Sequence, residues 1–149
     1  MNESQRAIES VVLETLRRGD RTSIVVAGTS MEPWIRQGDR VWLEPLARGE
    51  LSFRVGDVVL IADDRIRQLH RIIGIDGAGF VVKGDACDGG ALRVAPSLVL
   101  GRATSLERRG RSVPFRRLAG RVIAACSPYS RFYHRPLMLV VRFYRRATF

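Results

Sequence analysis

The sequence predicts a mainly β chain, with one helix before the strands and a basic, partly helical extension after them. Three observations carry that prediction. Between residues 22 and 106, short runs rich in Val, Ile and Leu are punctuated by turn residues, and no long helical period interrupts them. The residues before this span carry an apolar stripe at helical spacing, and those after Arg111 do so again. At 149 residues, 46% hydrophobic and 27% charged, the chain is long enough to bury a core and too apolar to be disordered.

Taken in order, residues 4 to about 18 form the first predicted helix. Ile8, Val11, Val12, Leu13 and Leu16 share one side, Ser4 caps the start, and Gly19 suits the end. Strands are predicted near 22–27, 40–44, 57–62, 67–75, 79–83 and 98–106. The first of them, through Ser23-Ile24-Val25-Val26-Ala27, reads as buried because of its β-branched density. Gly38-Asp39, Gly56-Asp57, Asp76-Gly77 and Gly84-Asp85 stand at strand edges, where aspartate bonds to backbone and glycine turns the chain. Beyond Arg111, Phe115, Leu118, Ala119, Val122, Ile123 and Cys126 follow helical spacing, Arg116, Arg117 and Arg121 fall off that face, and Pro128 closes the helix. Residues 137–146 fit a helix or a strand equally. The expected division is an N-terminal helix over 1–21, a β-rich domain over 22–111 and a basic amphipathic extension over 112–149.

Charge is unevenly placed. The net charge is +10, yet residues 1–100 carry −1 and residues 101–149 carry +11. Arginine does not deprotonate at working pH, and Lys83 is the one lysine. A proton-accepting group must therefore be Lys83, His70, His134 or a carboxylate; Lys83 is expected as a solvated or turn-bracing charge. Two cysteines, Cys87 and Cys126, make neither a disulfide framework nor a metal set, and no cofactor or metal is expected. The N-terminus has acidic residues early and no secretory pattern, and no apolar run approaches the ~20 residues that span a bilayer. The expected location is cytoplasmic or membrane-peripheral.

Around Gly28-Thr29-Ser30-Met31-Glu32-Pro33-Trp34 the predicted strand gives way to a bend. Gly28 leaves room for a turn or for close approach of another group, and Pro33 stops a helix. Taken alone, Ser30 is a turn serine bonding its own backbone. A serine becomes a nucleophile only when a base takes its proton, and His70 has the ordinary pKa for that task. In Arg67-Gln68-Leu69-His70-Arg71-Ile72-Ile73, strand alternation sends Gln68, His70 and Ile72 to one face and Leu69, Arg71 and Ile73 to the other. A lone strand histidine is, by itself, as good a structural residue as a catalytic one.

Together these segments resemble type I signal peptidases. Ser30-Met31-Glu32-Pro33 is similar to their Ser-Met-x-Pro nucleophile box. Gly38-Asp39-Arg40-Val41 and Gly56-Asp57-Val58-Val59 resemble the Gly-Asp turns that follow, His70-Arg71-Ile72-Ile73-Gly74 the base-bearing strand, and Lys83-Gly84-Asp85 the later Gly-Asp box. Histidine rather than lysine at the base position is similar to the endoplasmic-reticulum and archaeal branch. The resemblance covers residues 22 to 106. It implies the curved β-sheet fold shared with LexA-type repressors and a serine endopeptidase with a Ser30–His70 dyad. It further implies a carboxylate orienting His70, either Asp85 or Asp88, and an oxyanion held in part by the Ser30 N–H. Relatives often carry a hydroxyl two positions before the nucleophile, where this chain has Gly28. Gly28 and Met31 flank the expected peptide groove, Met31 being equally placed for the core. The implied substrate is an extended precursor or signal peptide with small side chains before the cut, docked as an added strand.

The usual N-terminal anchor of signal peptidases has no counterpart, which leaves two routes. Either the Arg-rich tail, with Phe115, Tyr129, Phe132, Tyr133, Phe143 and Tyr144 interleaved, reaches an anionic membrane surface or a membrane-anchored partner, or the substrate is soluble. A nucleic-acid-binding or otherwise non-catalytic β module using that tail is the rival class. A LexA-type self-cleaving regulator fits less well, since it needs a lysine base, and Ala27-Gly28 lies too close to Ser30 to be its substrate.

Overall fold

The computed structural model describes residues 3–46, 53–62, 67–87, 89–115 and 117–126, the side chains of residues 3–9 and 117–119 excepted. Eight antiparallel strands make one open sheet: β1 (Thr22–Val25), β2 (Arg40–Pro45), β3 (Val58–Ala62), β4 (Arg67–Asp76), β5 (Gly79–Lys83), β6 (Leu92–Val94), β7 (Val99–Arg108) and β8 (Arg111–Pro114). They lie in the order β1-β2-β7-β3-β4-β5-β6, with β8 paired to β7. Helix α1 (Glu3–Arg18) precedes the strands and α2 (Arg117–Cys126) follows them.

Strand β7 organises the sheet. One of its edges pairs with the whole of β2, from Arg40↔Glu107 to Pro45↔Gly101. The other edge takes β3 along its first half, from Val59↔Arg102 to Ile61↔Val99, and β8 along its second, from Ser105↔Pro114 to Arg108↔Arg111. The β7–β8 hairpin closes through Arg109-Gly110, whose φ values of 53° and 73° are what a type I′ turn demands.

Strand β3 is buried on both faces, so its alternating side chains seed two cores. Val58, Leu60 and Ala62 join Val41, Leu43 and the α1 residues Val12, Leu13 and Leu16 on one side. Val59 and Ile61 join Ile72, Phe80, Val82, Val94 and Val99 on the other. There Phe53 meets Phe80 edge-to-face at 4.9 Å between ring centres.

Several expectations change in the details. The buried stripe of α1 is narrower than its spacing implies, for Val11 is 66% exposed. The helix begins at Glu3, so Ser4 lies inside its first turn; at the other end Gly19 N–H bonds Leu16 O and Asp20 N–H bonds Thr15 O, each at 3.1 Å. β1 is an edge strand with Val25 59% exposed, not a buried one. β8 extends the sheet past Arg111, where the β domain was expected to end, and Phe115 continues that ladder by donating to Thr104 O at 3.0 Å instead of opening a helix. Gly120 and Ala124 form the buried side of α2, while Val122 and Cys126 face outward. Residues 127–149, including the ambiguous 137–146 segment, His134 and most of the tail aromatics, lie outside the described residues.

Two pairs of contacts tie the loops to this frame. Asp39 in the first Gly-Asp turn accepts Arg36 N–H at 2.7 Å and holds Arg108 of β7 at 2.8 and 2.6 Å. Arg108 also donates to Trp34 O at 3.0 Å, so the 30–39 bend is fastened to β7. Burial would raise the Asp39 pKa, but the Arg108 pair and the Arg36 N–H together outweigh it and leave the carboxyl below its ordinary range. In the second turn Asp57 accepts Arg54 N–H at 3.0 Å, repeating the local pattern.

Candidate active site

Val25 ends β1, and Ser30 opens a tight bend in which Glu32 N–H bonds Thr29 O and Ile35 N–H bonds Met31 O, both at 3.0 Å. Ser30 is thus reached through an irregular stretch, not at the strand end itself, and Thr29 belongs to a bend rather than an extended strand. The bend is anchored from below by Met31 and Ile35, 2% and 0% exposed in the α1-side core. Met31 therefore serves the core, and its expected place in a peptide groove is not seen. Gly28 is exposed, and a Cβ there would meet nothing within 4 Å, so no group approaches it closely.

What does approach closely is Gly84. Ala86 N–H donates to Ser30 O at 2.8 Å. A Cβ added at Gly84 would lie 2.7 Å from Ser30 O, 3.2 Å from Ser30 Cβ and 2.6 Å from Cys87 Sγ. Only glycine lets the bend and the 84–87 turn lie this close.

Register brings His70 to the same place. β4 pairs with β5 through Arg71↔Lys83, and one further step sets His70 opposite Gly84. Residues opposite one another in an antiparallel pair point to the same face, with Cβ atoms about 5 Å apart. Val59, the β3 partner of His70, and Val82, two residues before Gly84, both face the second core, which gives the same side for both positions. Ser30 occupies the space where a Gly84 side chain would stand. The hydroxyl-bearing and imidazole-bearing residues are therefore neighbours on one face.

His70 is 8% exposed, and its Nδ1 has no hydrogen-bond partner. Burial lowers its pKa below the ordinary value near 6.5, and the nearby Asp85 charge offsets this only in part. At neutral pH the imidazole is uncharged. Asp85 does not orient it: both carboxylate oxygens go to Arg71, at 2.8 Å from Nε and 2.6 Å from Nη2, in a pair whose side chains are each 2% exposed. Arg71 also donates to Gly56 O at 2.9 Å. Asp85 is thus a structural partner that acts on His70 through its charge alone, and Asp88 lies outside the described residues. No hydrogen bond joins Ser30 Oγ to His70 among the described residues. Lys83, expected in solvent, is 8% exposed. Its register partner Arg71 and the Gly84 contact were invisible to a reading by residue type, because both depend on pairing between distant segments; the Lys83-Gly84-Asp85 box was their one local signal.

A cavity of about 560 Å³ lies elsewhere, between the sheet and α2, with Trp34, Val58, Arg71, Leu106, Phe115 and Ile123 among its walls; Ser30 and His70 do not line it. Among the described residues no group of three or more His, Cys, Asp or Glu side chains is gathered to hold a metal, and no helix is long and apolar enough to cross a membrane.

Comparison with protein-family models and with curated proteins found no match to this chain.

Proposed function

We propose that the protein is a serine endopeptidase of the signal-peptidase type, in which Ser30 attacks a peptide carbonyl and His70 accepts its proton and returns it to the leaving amine. The observation that carries this reading is the packing of Ser30 over Gly84, the residue that register sets opposite His70. A neutral, buried imidazole beside a half-exposed serine is the protonation state a base needs. The Ser30 N–H makes no hydrogen bond within the protein, which leaves it available to an oxyanion. Resting serine–base pairs are often too long for a hydrogen bond and tighten when substrate is bound.

The substrate would add to β1, which ends the sheet and leads by five residues to Ser30. An extended peptide laid along that strand brings its carbonyls towards the bend. Small side chains before the cut, as in the signal peptidases the chain resembles, suit a site this close to packed backbone. The +11 charge of residues 101–149 offers a route to an anionic membrane surface on which such precursors lie.

The test is labelling with an active-site acylating agent, wild type against Ser30→Ala and His70→Ala. Modification should map to Ser30, vanish in Ser30→Ala and slow by about 10²–10⁴-fold in His70→Ala, with unchanged circular dichroism. Equal labelling of all three proteins would end the peptidase reading.

A further inference from the structure

Cys87 has no role in the chemistry above, yet its thiol stands beside Ser30. Cys87 N–H donates to Gly84 O at 3.1 Å, and this tight turn carries Sγ back over Gly84. There Sγ and Ser30 Cβ lie 2.6 and 3.2 Å from one and the same point, the position of a Gly84 Cβ. Cys87 is half-buried, while the other thiol, Cys126, is exposed far along α2. A second observation marks the place independently. His70, opposite Gly84 in register and facing that side, is more than nine-tenths buried and keeps Nδ1 without a partner. A hydroxyl, a thiol and an imidazole with an open nitrogen therefore converge over one glycine.

We propose that Cys87 is a reversible modification site for low-molecular-weight disulfides, and that the adduct blocks Ser30. The Cys87 thiolate attacks one sulfur of the disulfide. A new S–S bond forms as the old one breaks, and the departing half leaves as a thiolate that takes up the proton Cys87 released. Cys87 is oxidised and the departing half reduced; a free monothiol reverses the exchange. The attached half has no room towards Gly84, where contact is already tight, and extends over Ser30 instead. Ser30 cannot withdraw, because Ala86 N–H holds its carbonyl at 2.8 Å. A polar atom of the adduct meets His70 Nδ1, the one polar position in the cluster that lacks a partner.

The site of modification stands on geometry alone; its effect on Ser30 rests on the peptidase reading. The experiment uses full-length Cys126→Ser protein, 2-hydroxyethyl disulfide as the probe, and the Ser30 acylating agent. Intact mass should show one adduct, mapped to Cys87. Ser30 acylation should fall at least tenfold and return when a monothiol removes the adduct. The double variant Cys87→Ala, Cys126→Ser should show no loss with the probe present. Undiminished acylation of the adduct, or a Cys87 adduct that forms only after unfolding, would overturn the proposal. If Ser30 is not acylated even in untreated protein, the peptidase reading has failed. The thiol site is then read from the His70 ring resonances, which move on adduct formation if the cluster is real and stay fixed if it is not.

Discussion

Gly84 does more for the candidate site than any residue with a side chain. Its missing Cβ is the space in which Ser30 and Cys87 sit, and the contacts a methyl group would make include Ser30 backbone at 2.7 Å. Gly84→Ala must therefore displace the serine bend rather than rotate a side chain. We expect a stability loss of about 1–3 kcal/mol, typical of overpacking, and a tenfold or greater fall in Ser30 acylation with circular dichroism preserved. Unchanged acylation in a folded Gly84→Ala protein would place the serine elsewhere. At this scale the sequence was half legible. Ser30 and His70 stand out by residue type and by the order of the surrounding boxes. The convergence over Gly84 does not, because it arises from a strand register between segments 54 residues apart at Ser30 and Gly84. Lys83 misled for a related reason: residue type favours solvent, whereas its place opposite Arg71 on a central strand pair puts it inside.

At the scale of elements, buried ion pairs set how loops meet the sheet. Arg71 and Asp85 join β4 to the turn after β5, and Arg71 reaches on to Gly56 O in the turn before β3. A buried pair of this kind contributes little net stability against apolar residues of similar size, but removing one partner strands the other charge. Asp85→Ala should cost about 3–5 kcal/mol in urea denaturation, whereas the double replacement Arg71→Met, Asp85→Leu should recover most of that. Equal losses in the two proteins would show that the pair holds the fold by specific geometry and not by mutual neutralisation. The long strands were legible because Val and Ile dominate them. β6 and β8 were not: Leu92–Val94 has three residues, and Arg111–Pro114 is fully exposed, so neither shows an apolar run or an alternation. They are strands because β5 and β7 offer them edges. In α2 the spacing pointed to Val122 and Cys126, but the side that packs is chosen by Gly120, through its backbone contact with Gly56.

For the molecule as a whole, that contact decides whether α2 stays on the sheet. A Cβ at Gly120 would lie 2.6 Å from Gly56 O, the same carbonyl that accepts from Arg71. Gly120→Val should lift α2, which a protease would report as faster cutting between residues 117 and 126 with the strands intact; unchanged cutting would show that α2 is held by other contacts. The mainly β architecture and its flanking helices were readable from periodicity, while the two-sided burial of β3 and the central place of β7 emerge only from pairing. That pairing is what sets a neutral His70 beside Ser30. Its most direct test is the rate of Ser30 acylation as a function of pH. Because burial lowers the His70 pKa, the base is present at neutral pH and is lost as pH falls through a value below 6.5. Wild type should hold a level rate above pH 6.5 and decline on acidification with one ionisation below that value, a limb that disappears in His70→Ala. A profile still rising through the lysine range near pH ~10, or the same acid limb with His70 replaced, would contradict the pairing of Ser30 with His70.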